Sequence, residues 1–380
     1  MTDQIQEIVT RMPDMESVTG VWDTAEDRLG QGDFTFVADL GVALVTEYGS
    51  SGARIWQYRS VFDRLLRLLA LTPGQEHAES AARVVAAAPD NGKLARYAAS
   101  LLADGQDPKA LKSAFASGSS SADDALDELR CCLVQELVLR GVPIAEDQEI
   151  EAWATSPHRR RHPLAWLPLE LSAIEETPSL PRYSVGGSSY CMPYGAEDDP
   201  GVTLGSAAEL PSVTDTTTEA FRESAAAAVA NWAEESNGCN EAGSYDLSGP
   251  IHVEALTDLL VTLGLECLSG TGPLERPTLT GCRPEDAWEV LFAAASTGGA
   301  YNNGEYGAYG RLAAWRSLAA LSGASTTAPV GEVEERAREC GWYSFGAASN
   351  WFRGVAWDMG LVSVSQAGRR IAVLAATDTD

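Results

Sequence analysis

Positively charged side chains are scarce in this sequence. It has 27 Lys and Arg against 54 Asp and Glu, which gives a net charge of −27 over 380 residues. Proteins bind nucleic acids largely by neutralising phosphates with cations, and anionic membrane surfaces attract basic segments for the same reason. The composition therefore argues against nucleic acid and membrane as partners. The one basic cluster, Arg159–Arg161, is too small for a nucleic-acid surface, and we interpret it as a solvated turn.

Long apolar runs and paired cysteines are also missing. No stretch reaches the ~18 apolar residues of a membrane span, and Met1–Ile5 has neither the basic nor the apolar region of a signal peptide. The seven cysteines are an odd number without disulfide or metal-site spacing, and only Cys131 and Cys132 are neighbours. These features predict a reduced, cytoplasmic protein.

Motifs that would identify a cofactor or a reaction are lacking as well. There is no phosphate-binding G-x-x-x-x-G-K-[ST] loop and no G-x-S-x-G nucleophile turn. His158 and His162 have the spacing of two ligands on one helix face, but prolines bracket them and arginines fill the gap. We therefore predict no metal and no cofactor, and no catalytic residue is assigned.

Acidic side chains are too numerous for any pair of them to identify an active site. With 54 acids in the chain, chance clusters are expected, and acid–base catalysis needs a buried carboxyl with a shifted pKa. We interpret the clustered acids as part of a solvated surface. Glu241 and Asp246 are predicted to lie in a Gly-rich turn that follows a helix. The clustered acids are Glu234, Glu235, Glu241, Asp246, Glu305 and Asp358.

Residues 1–155 are predicted to form a helical array. Apolar residues recur at helical spacing from Val61 to Leu69 and from Leu126 to Leu137, and each run ends at a Pro and Gly pair. Alanine-rich helices lie between them, around 81–88 and 94–102. Such helical hairpins can stack as a short solenoid or pack as a bundle, and no named repeat recurs.

Residues 156–215 are predicted to be a Pro- and Gly-rich connecting segment. In His162–Leu169 the prolines exclude a long helix, which predicts an extended packed segment. From Pro178 to Pro211 the chain is rich in Gly, Ser, Pro and acid, which predicts a long loop and the first site of proteolysis.

Residues 216–380 are predicted to form a helical α+β domain that ends in a β-hairpin. Helical stripes run through 221–232, 256–263, 284–295, 308–321 and 330–339. Two short β-prone runs around Gln366–Gly368 then predict the hairpin, and Thr377–Asp380 is interpreted as a polar tail.

The segment Gly298–Arg316 is the candidate binding surface. Glycine lets a backbone approach a partner closely, tyrosine supplies rigid contact area, and arginine can hold an anion. The alternative is a loop whose tyrosines pack as core; an aromatic cluster at 342–357 poses the same choice between core and groove. The candidate ligand- or partner-binding residues are Tyr301, Asn302, Asn303, Glu305, Tyr306, Tyr309, Arg311 and Arg316.

Four segments resemble an uncharacterised actinobacterial family of unknown function. They are 162–169, 298–318, 356–358 and 374–380, so the resemblance covers mainly residues 155–380. It implies no activity and transfers no catalytic residue.

Two classes of function fit these observations. The first is a non-catalytic protein-interaction or regulatory module, in which stacked helices present a groove to a protein or peptide. The second is a small-molecule enzyme of an unfamiliar type, in specialised metabolism, with a site near residues 298–316. A deep pocket that holds Arg311 or Arg316 beside a buried acid would favour the enzyme, and a broad, shallow apolar groove would favour the interaction module.

Overall fold

The computed structural model describes residues 2–49, 55–88, 92–115, 121–190, 210–270, 276–352 and 357–378. The chain divides into two compact units. The N-terminal unit is Met1–Ala165 with Leu180–Tyr190, and the C-terminal unit is Trp166–Ser179 with Cys191–Asp380. The predicted connecting segment 156–215 is thus shared between both units.

Ten α-helices form the N-terminal unit over its described residues. They are α1 (Thr2–Arg11), α2 (Thr19–Gly30), α3 (Phe34–Tyr48), α4 (Trp56–Leu71), α5 (Gln75–Ala86), α6 (Gly92–Gly105), α7 (Lys112–Phe115), α8 (Ser121–Leu139), α9 (Gln148–Ala154) and α10 (Pro157–Arg160). The apolar stripes predicted in α4 and α8 face the core, where Leu65, Leu69 and Leu133 are fully or almost fully buried. The predicted helical array is therefore confirmed.

A two-stranded hairpin, β1 (Arg182–Ser184) and β2 (Gly187–Ser189), completes the N-terminal unit. Arg67 on α4 donates hydrogen bonds to the carbonyl oxygens of Ser184 and Gly187, at 3.0 and 2.6 Å. This hairpin occupies part of the predicted long loop 178–211, whose residues 191–209 lie outside the described ones.

The basic cluster is the predicted solvated turn only in part, because Arg160 and Arg161 are exposed but Arg159 is buried. Arg159 is 5% exposed and donates to the carbonyl oxygens of Ala154 and Leu164, because the turn between α9 and residue 164 wraps around its guanidinium. The next residues also differ from the prediction of an extended segment, since Pro163–Trp166 forms one turn of 3-10 helix.

The C-terminal unit is built on an antiparallel sheet of six strands in the order β3-β4-β8-β7-β6-β5. The strands are β3 (Val213–Asp215), β4 (Cys239–Leu247), β5 (Thr278–Cys282), β6 (Gly341–Gly346), β7 (Asp358–Val364) and β8 (Arg370–Thr377). The predicted hairpin is confirmed as β7–β8, which turns at Gly368 with a φ of 65°. Together with the helices of this unit, it confirms the predicted α+β architecture.

Within the described residues of this unit, six α-helices accompany the sheet: α11 (Glu219–Ala225), α12 (Ala230–Glu235), α13 (Val253–Thr262), α14 (Pro284–Thr297), α15 (Tyr306–Ser322) and α16 (Val330–Glu339). On one face, Leu259 of α13 shares a core cluster with Val362 and Val373 of the sheet. On the other, α15 lies against β7 and β8, and Ser363 donates to the Leu321 carbonyl oxygen at 2.6 Å.

Three expectations about the C-terminal unit are wrong. Glu241 and Asp246 lie in strand β4, not in a Gly-rich turn, since the ladders to β3 and β8 fix the backbone there. The helix predicted over 221–232 is broken between α11 and α12, where the Ala228 N–H donates to Ser317 Oγ at 2.9 Å. Asp378 is fully buried, so it does not belong to a polar tail.

Within the described ranges, no helix is long and apolar enough to cross a membrane.

Candidate functional site

The segment that joins α14 to α15, residues 298–305, is called the 298–305 loop below. It begins at Gly298 (φ 82°) and passes through Gly304 (φ 65°), two left-handed conformations that favour glycine. A Cβ atom on Gly304 would meet the backbone of Ser296 and Gly298. The Glu305 N–H donates to the Ala295 carbonyl oxygen at 2.8 Å, which closes the loop over the end of α14.

Three successive backbone amides of the loop are held by side chains. Gly299 N donates to Asn302 Oδ1 at 2.7 Å, Ala300 N to Asp378 Oδ2 at 2.6 Å and Tyr301 N to Ser236 Oγ at 3.1 Å. Asn302 belongs to the loop itself, Asp378 directly follows β8 and Ser236 directly follows α12. Because each acceptor belongs to a different element, the backbone of the loop is fixed from several directions.

Asn302 ties the loop to α12 as well. Its Nδ2 donates to the backbone carbonyl oxygen of Asn231 at 2.6 Å, and its side chain is half-buried. The neighbouring Trp232 donates from Nε1 to the Ala294 carbonyl oxygen at 3.0 Å. A Cβ on Gly299 would collide with the Asp378 carboxylate and would lie 3.3 Å from the Trp232 ring, so glycine is needed for the loop to pass this close.

Two buried polar side chains behind the loop keep unpartnered atoms. Asp378 is fully buried and its Oδ1 has no hydrogen-bond partner, while its backbone N–H donates to the Trp357 carbonyl oxygen at 3.0 Å. Asn231 is 5% exposed, and neither atom of its side-chain amide has a partner. Native structures leave few buried polar atoms unpaired, so the unpaired atoms of Asp378 and Asn231 are an unusual feature of a protein core.

The outer side of the loop presents an aromatic tip. Tyr301 is 59% exposed, the largest value among the exposed large hydrophobic residues, and Asn303 is exposed beside it. Tyr306, the first residue of α15, has a φ of 59°, a conformation that costs a non-glycine residue about 1 kcal/mol or more. Tyr306, Tyr309 and Glu305 are half-buried.

The two predicted arginines have different environments. Arg311 is fully buried, and its Nε and one terminal nitrogen each lie 2.6 Å from a carboxylate oxygen of Glu175. Its terminal nitrogens also donate to the carbonyl oxygens of Pro168 and Glu170, at 3.0 and 2.9 Å. Arg311 therefore supports the segment 168–175. Arg316 is exposed on the surface of α15.

A cleft of about 540 Å³ adjoins the supports of the loop. It is lined by Asn237, Cys239, Glu266, Ser269, Gly270, Asn350, Trp351 and Thr377. Asn237 directly follows Ser236, and Thr377 directly precedes Asp378, so the cleft and the loop are held by the same two short stretches of chain. We call it the 237–377 cleft.

The floor of the cleft is positioned by Glu241 of β4. Its carboxylate accepts the backbone N–H groups of Glu266 and Cys267, both at 2.9 Å. Burial, reinforced by Glu241, raises the pKa of the Cys267 thiol, which therefore stays protonated at neutral pH. This cysteine is thus not a ready nucleophile, since the thiolate is the reactive form.

The sequence-based candidates and the structure overlap only in part. The loop residues 301–305 were singled out, but Asn231, Ser236, Asp378 and Glu266 were not. Asp378 contacts a residue 78 positions away, and no local pattern signals such a contact. The sequence predicts that the aromatic cluster at 342–357 forms either core or a groove. Trp351 lines the cleft, whereas Trp342, Phe345 and Phe352 are buried.

The chain belongs to a family of unknown function, DUF6183, whose family model matches residues 19–380. The predicted resemblance to such a family is confirmed, and the match extends well before residue 155. No curated protein and no solved structure matches the chain.

Proposed function

We propose that this member of a family of unknown function is a non-catalytic protein-interaction module, and that the 298–305 loop is its recognition element. The observation that carries the proposal is the fixation of three successive loop amides by side chains behind an exposed tyrosine. A core loop would bury its aromatic residue, whereas here the backbone amides are held by hydrogen bonds and the tyrosine is exposed.

Preorganisation explains why this geometry suits binding. Association costs free energy for each loop and side chain that it orders, and a loop that is already fixed avoids most of this cost. Tyrosine is enriched among the few residues that dominate interface energetics. The strained φ of Tyr306 supports the same view, because strain persists at functional sites where the surrounding structure enforces it.

The charge of the chain indicates the chemistry of the partner. A net charge of −27 attracts a basic surface and repels acidic ones, which raises the association rate with a basic protein or peptide. We further propose a cytoplasmic location, which is supported by an odd number of cysteines without the spacing of a disulfide framework. An actinobacterial distribution of the family is supported by the preference for arginine over lysine and the many Ala and Gly residues.

A second candidate function is a small-molecule enzyme with its site beside the same loop. One observation favours it: the buried Asp378, which directly follows the cleft-lining Thr377 in sequence, keeps an unpartnered carboxylate oxygen. A carboxyl in such a place is suited to proton transfer if a substrate reaches it. In that case Asp378→Asn would abolish the cellular function while binding of a protein partner stayed intact.

Site-specific photocrosslinking tests the interaction module. A benzoylphenylalanine placed at Tyr301 is expected to give one discrete adduct in the native host, and the same group at Val261, which is 51% exposed on α13, is expected to give none. The adduct is identified by mass spectrometry, and its partner is then purified and titrated against the protein.

Titration of the identified partner decides the proposal. Tyr301→Ala should weaken its Kd by about tenfold or more, equivalent to about 1.4 kcal/mol, and Val261→Ala should leave it unchanged. Both variants should melt at the wild-type temperature, because both side chains are mostly exposed. Equal affinities of the two variants would show that the loop is not a recognition element.

A further inference from the structure

We propose that the 237–377 cleft binds a positively charged group, an ammonium or a guanidinium. The source is either a Lys or Arg side chain of a peptide or a small free amine, and the test below separates the two. The inference deepens the proposed function, because a basic partner that contacts Tyr301 would offer such a group, but binding to the cleft can be measured without that partner.

Glu266 supplies the charge that recognises the ligand. It is the one charged residue among the described residues that line the cleft. Its backbone is fixed by Glu241, while its own carboxylate is exposed and makes no hydrogen bond or ion pair in the described part of the chain. A carboxylate that is positioned but uncommitted is a suitable partner for a cation and would repel an anionic ligand.

The remaining polar groups of the cleft mainly accept hydrogen bonds. Ser269 Oγ donates its proton to the Leu265 carbonyl oxygen at 3.3 Å, and Thr377 Oγ1 donates its proton to Asp358 at 2.6 Å. Each hydroxyl oxygen therefore keeps lone pairs and no proton for a ligand. Asn237 and Asn350 add amide groups, which can both accept and donate. Together with the Glu266 carboxylate, acceptor oxygens outnumber amide nitrogens among the side chains that line the cleft, which matches a group with several N–H donors.

Trp351 supplies an aromatic side chain at the same wall. Cations bind the faces of tryptophan rings more strongly than those of other aromatic residues. The volume of about 540 Å³ lies within the range of pockets that hold small molecules, so a whole side chain or a polyamine segment can enter. A carboxylate, hydroxyl oxygens and a tryptophan around one cleft together favour an organic cation.

The test titrates argininamide, spermidine and a capped Gly-Arg-Gly peptide into the purified protein by calorimetry, up to about 10 mM. We expect saturable binding that weakens about tenfold or more in Glu266→Gln, because a charge-assisted contact is lost. Glu223→Gln on α11 removes an exposed acid outside the cleft and should bind like the wild type. Melting curves of both variants confirm that they fold.

The outcomes separate the sources and the two proposals. Tighter binding of the peptide identifies a peptide source, and tighter binding of spermidine identifies a free amine. Binding that weakens equally in Glu266→Gln and Glu223→Gln would reflect general attraction to an acidic protein and would overturn the inference, as would a lack of saturable binding. Tyr301→Ala should leave these titrations unchanged, so a failure of the 298–305 loop as a recognition element leaves this result standing.

Discussion

Glu289 is a half-buried carboxyl group that folding moves partly out of water. Burial raises its pKa above the usual range for glutamate, although the Ser179 N–H donates to its Oε1 at 3.0 Å and partly opposes the shift. A raised pKa means that the folded state prefers the protonated form. The preference for protonated Glu289 therefore contributes fully to the free energy of unfolding below the ordinary pKa of glutamate, about 4.3. This contribution is lost as the pH rises through the raised pKa of the folded state.

Glu289→Gln should accordingly raise the free energy of unfolding at pH 7 and have little effect at about pH 3, below the ordinary pKa. Glutamine keeps an oxygen that accepts from Ser179 and carries no charge to desolvate. Thermal melts of the variant and the wild type at the two pH values measure this, with the exposed Glu223→Gln as control. Identical behaviour of the two variants at pH 7 would contradict the buried environment of Glu289.

Arg311 is a buried structural residue that holds the segment 168–175. Breaking a buried ion pair by removing one partner costs about 3–5 kcal/mol, because the other charge is left buried without compensation. Arg311→Ala should lower the free energy of unfolding by this amount, since it strands Glu175, which is 1% exposed and also accepts from Trp315 Nε1 at 2.8 Å. Urea denaturation of Arg316→Ala, an exposed arginine of the same helix, should show a change within about 0.5 kcal/mol. A stable Arg311→Ala protein that had lost binding would instead make Arg311 a ligand-binding residue.

At the scale of elements, the close approach of α14 and α15 depends on Gly310. A Cβ there would lie 2.7 Å from the Ser296 Cβ and 2.9 Å from its Cα, so neither chain can yield by turning a side chain. Gly310→Ala should destabilise the protein by about 1–3 kcal/mol through overpacking, although alanine is the better helix former.

Gly331, in α16, is the matched control. An added Cβ there meets no atom within 4 Å, so Gly331→Ala should stabilise the protein by about 0.4–1 kcal/mol. Chemical denaturation of the two variants gives opposite signs if the helices pack as described. The same sign for both would mean that α14 and α15 do not approach closely at Gly310.

The helices of this protein were predictable because their apolar residues recur every three to four positions, as Leu256, Leu259 and Leu260 do in α13. The strand β4 was not predictable, since Cys239–Leu247 contains no β-branched residue and includes glycine and acids that resemble a turn. Its conformation is set by ladders to β3 and β8, which are contacts distant in sequence. The 298–305 loop was recognisable from its Gly, Tyr and Asn, but the residues that support it were not.

At the scale of the whole molecule, the excess of acids over bases limits which partners can associate. Duplex DNA carries a dense negative charge, and a protein with a net charge of −27 gains little from releasing its counterions. We expect no binding to duplex DNA at physiological salt in a gel-shift assay. Sub-micromolar binding that survives about 200 mM salt would contradict this reading of the charge.

The most direct test of the account measures backbone amide hydrogen exchange at Gly299, Ala300 and Tyr301. If side chains fix the 298–305 loop, these amides should exchange much more slowly than exposed amides do, and Asp378→Ala should accelerate exchange at Ala300 by removing its acceptor. Asp378→Asn, which keeps an oxygen acceptor, should largely preserve the protection. Exchange of all three amides at the rate of an unstructured chain in the wild-type protein would contradict the central claim that this loop is a preorganised recognition element.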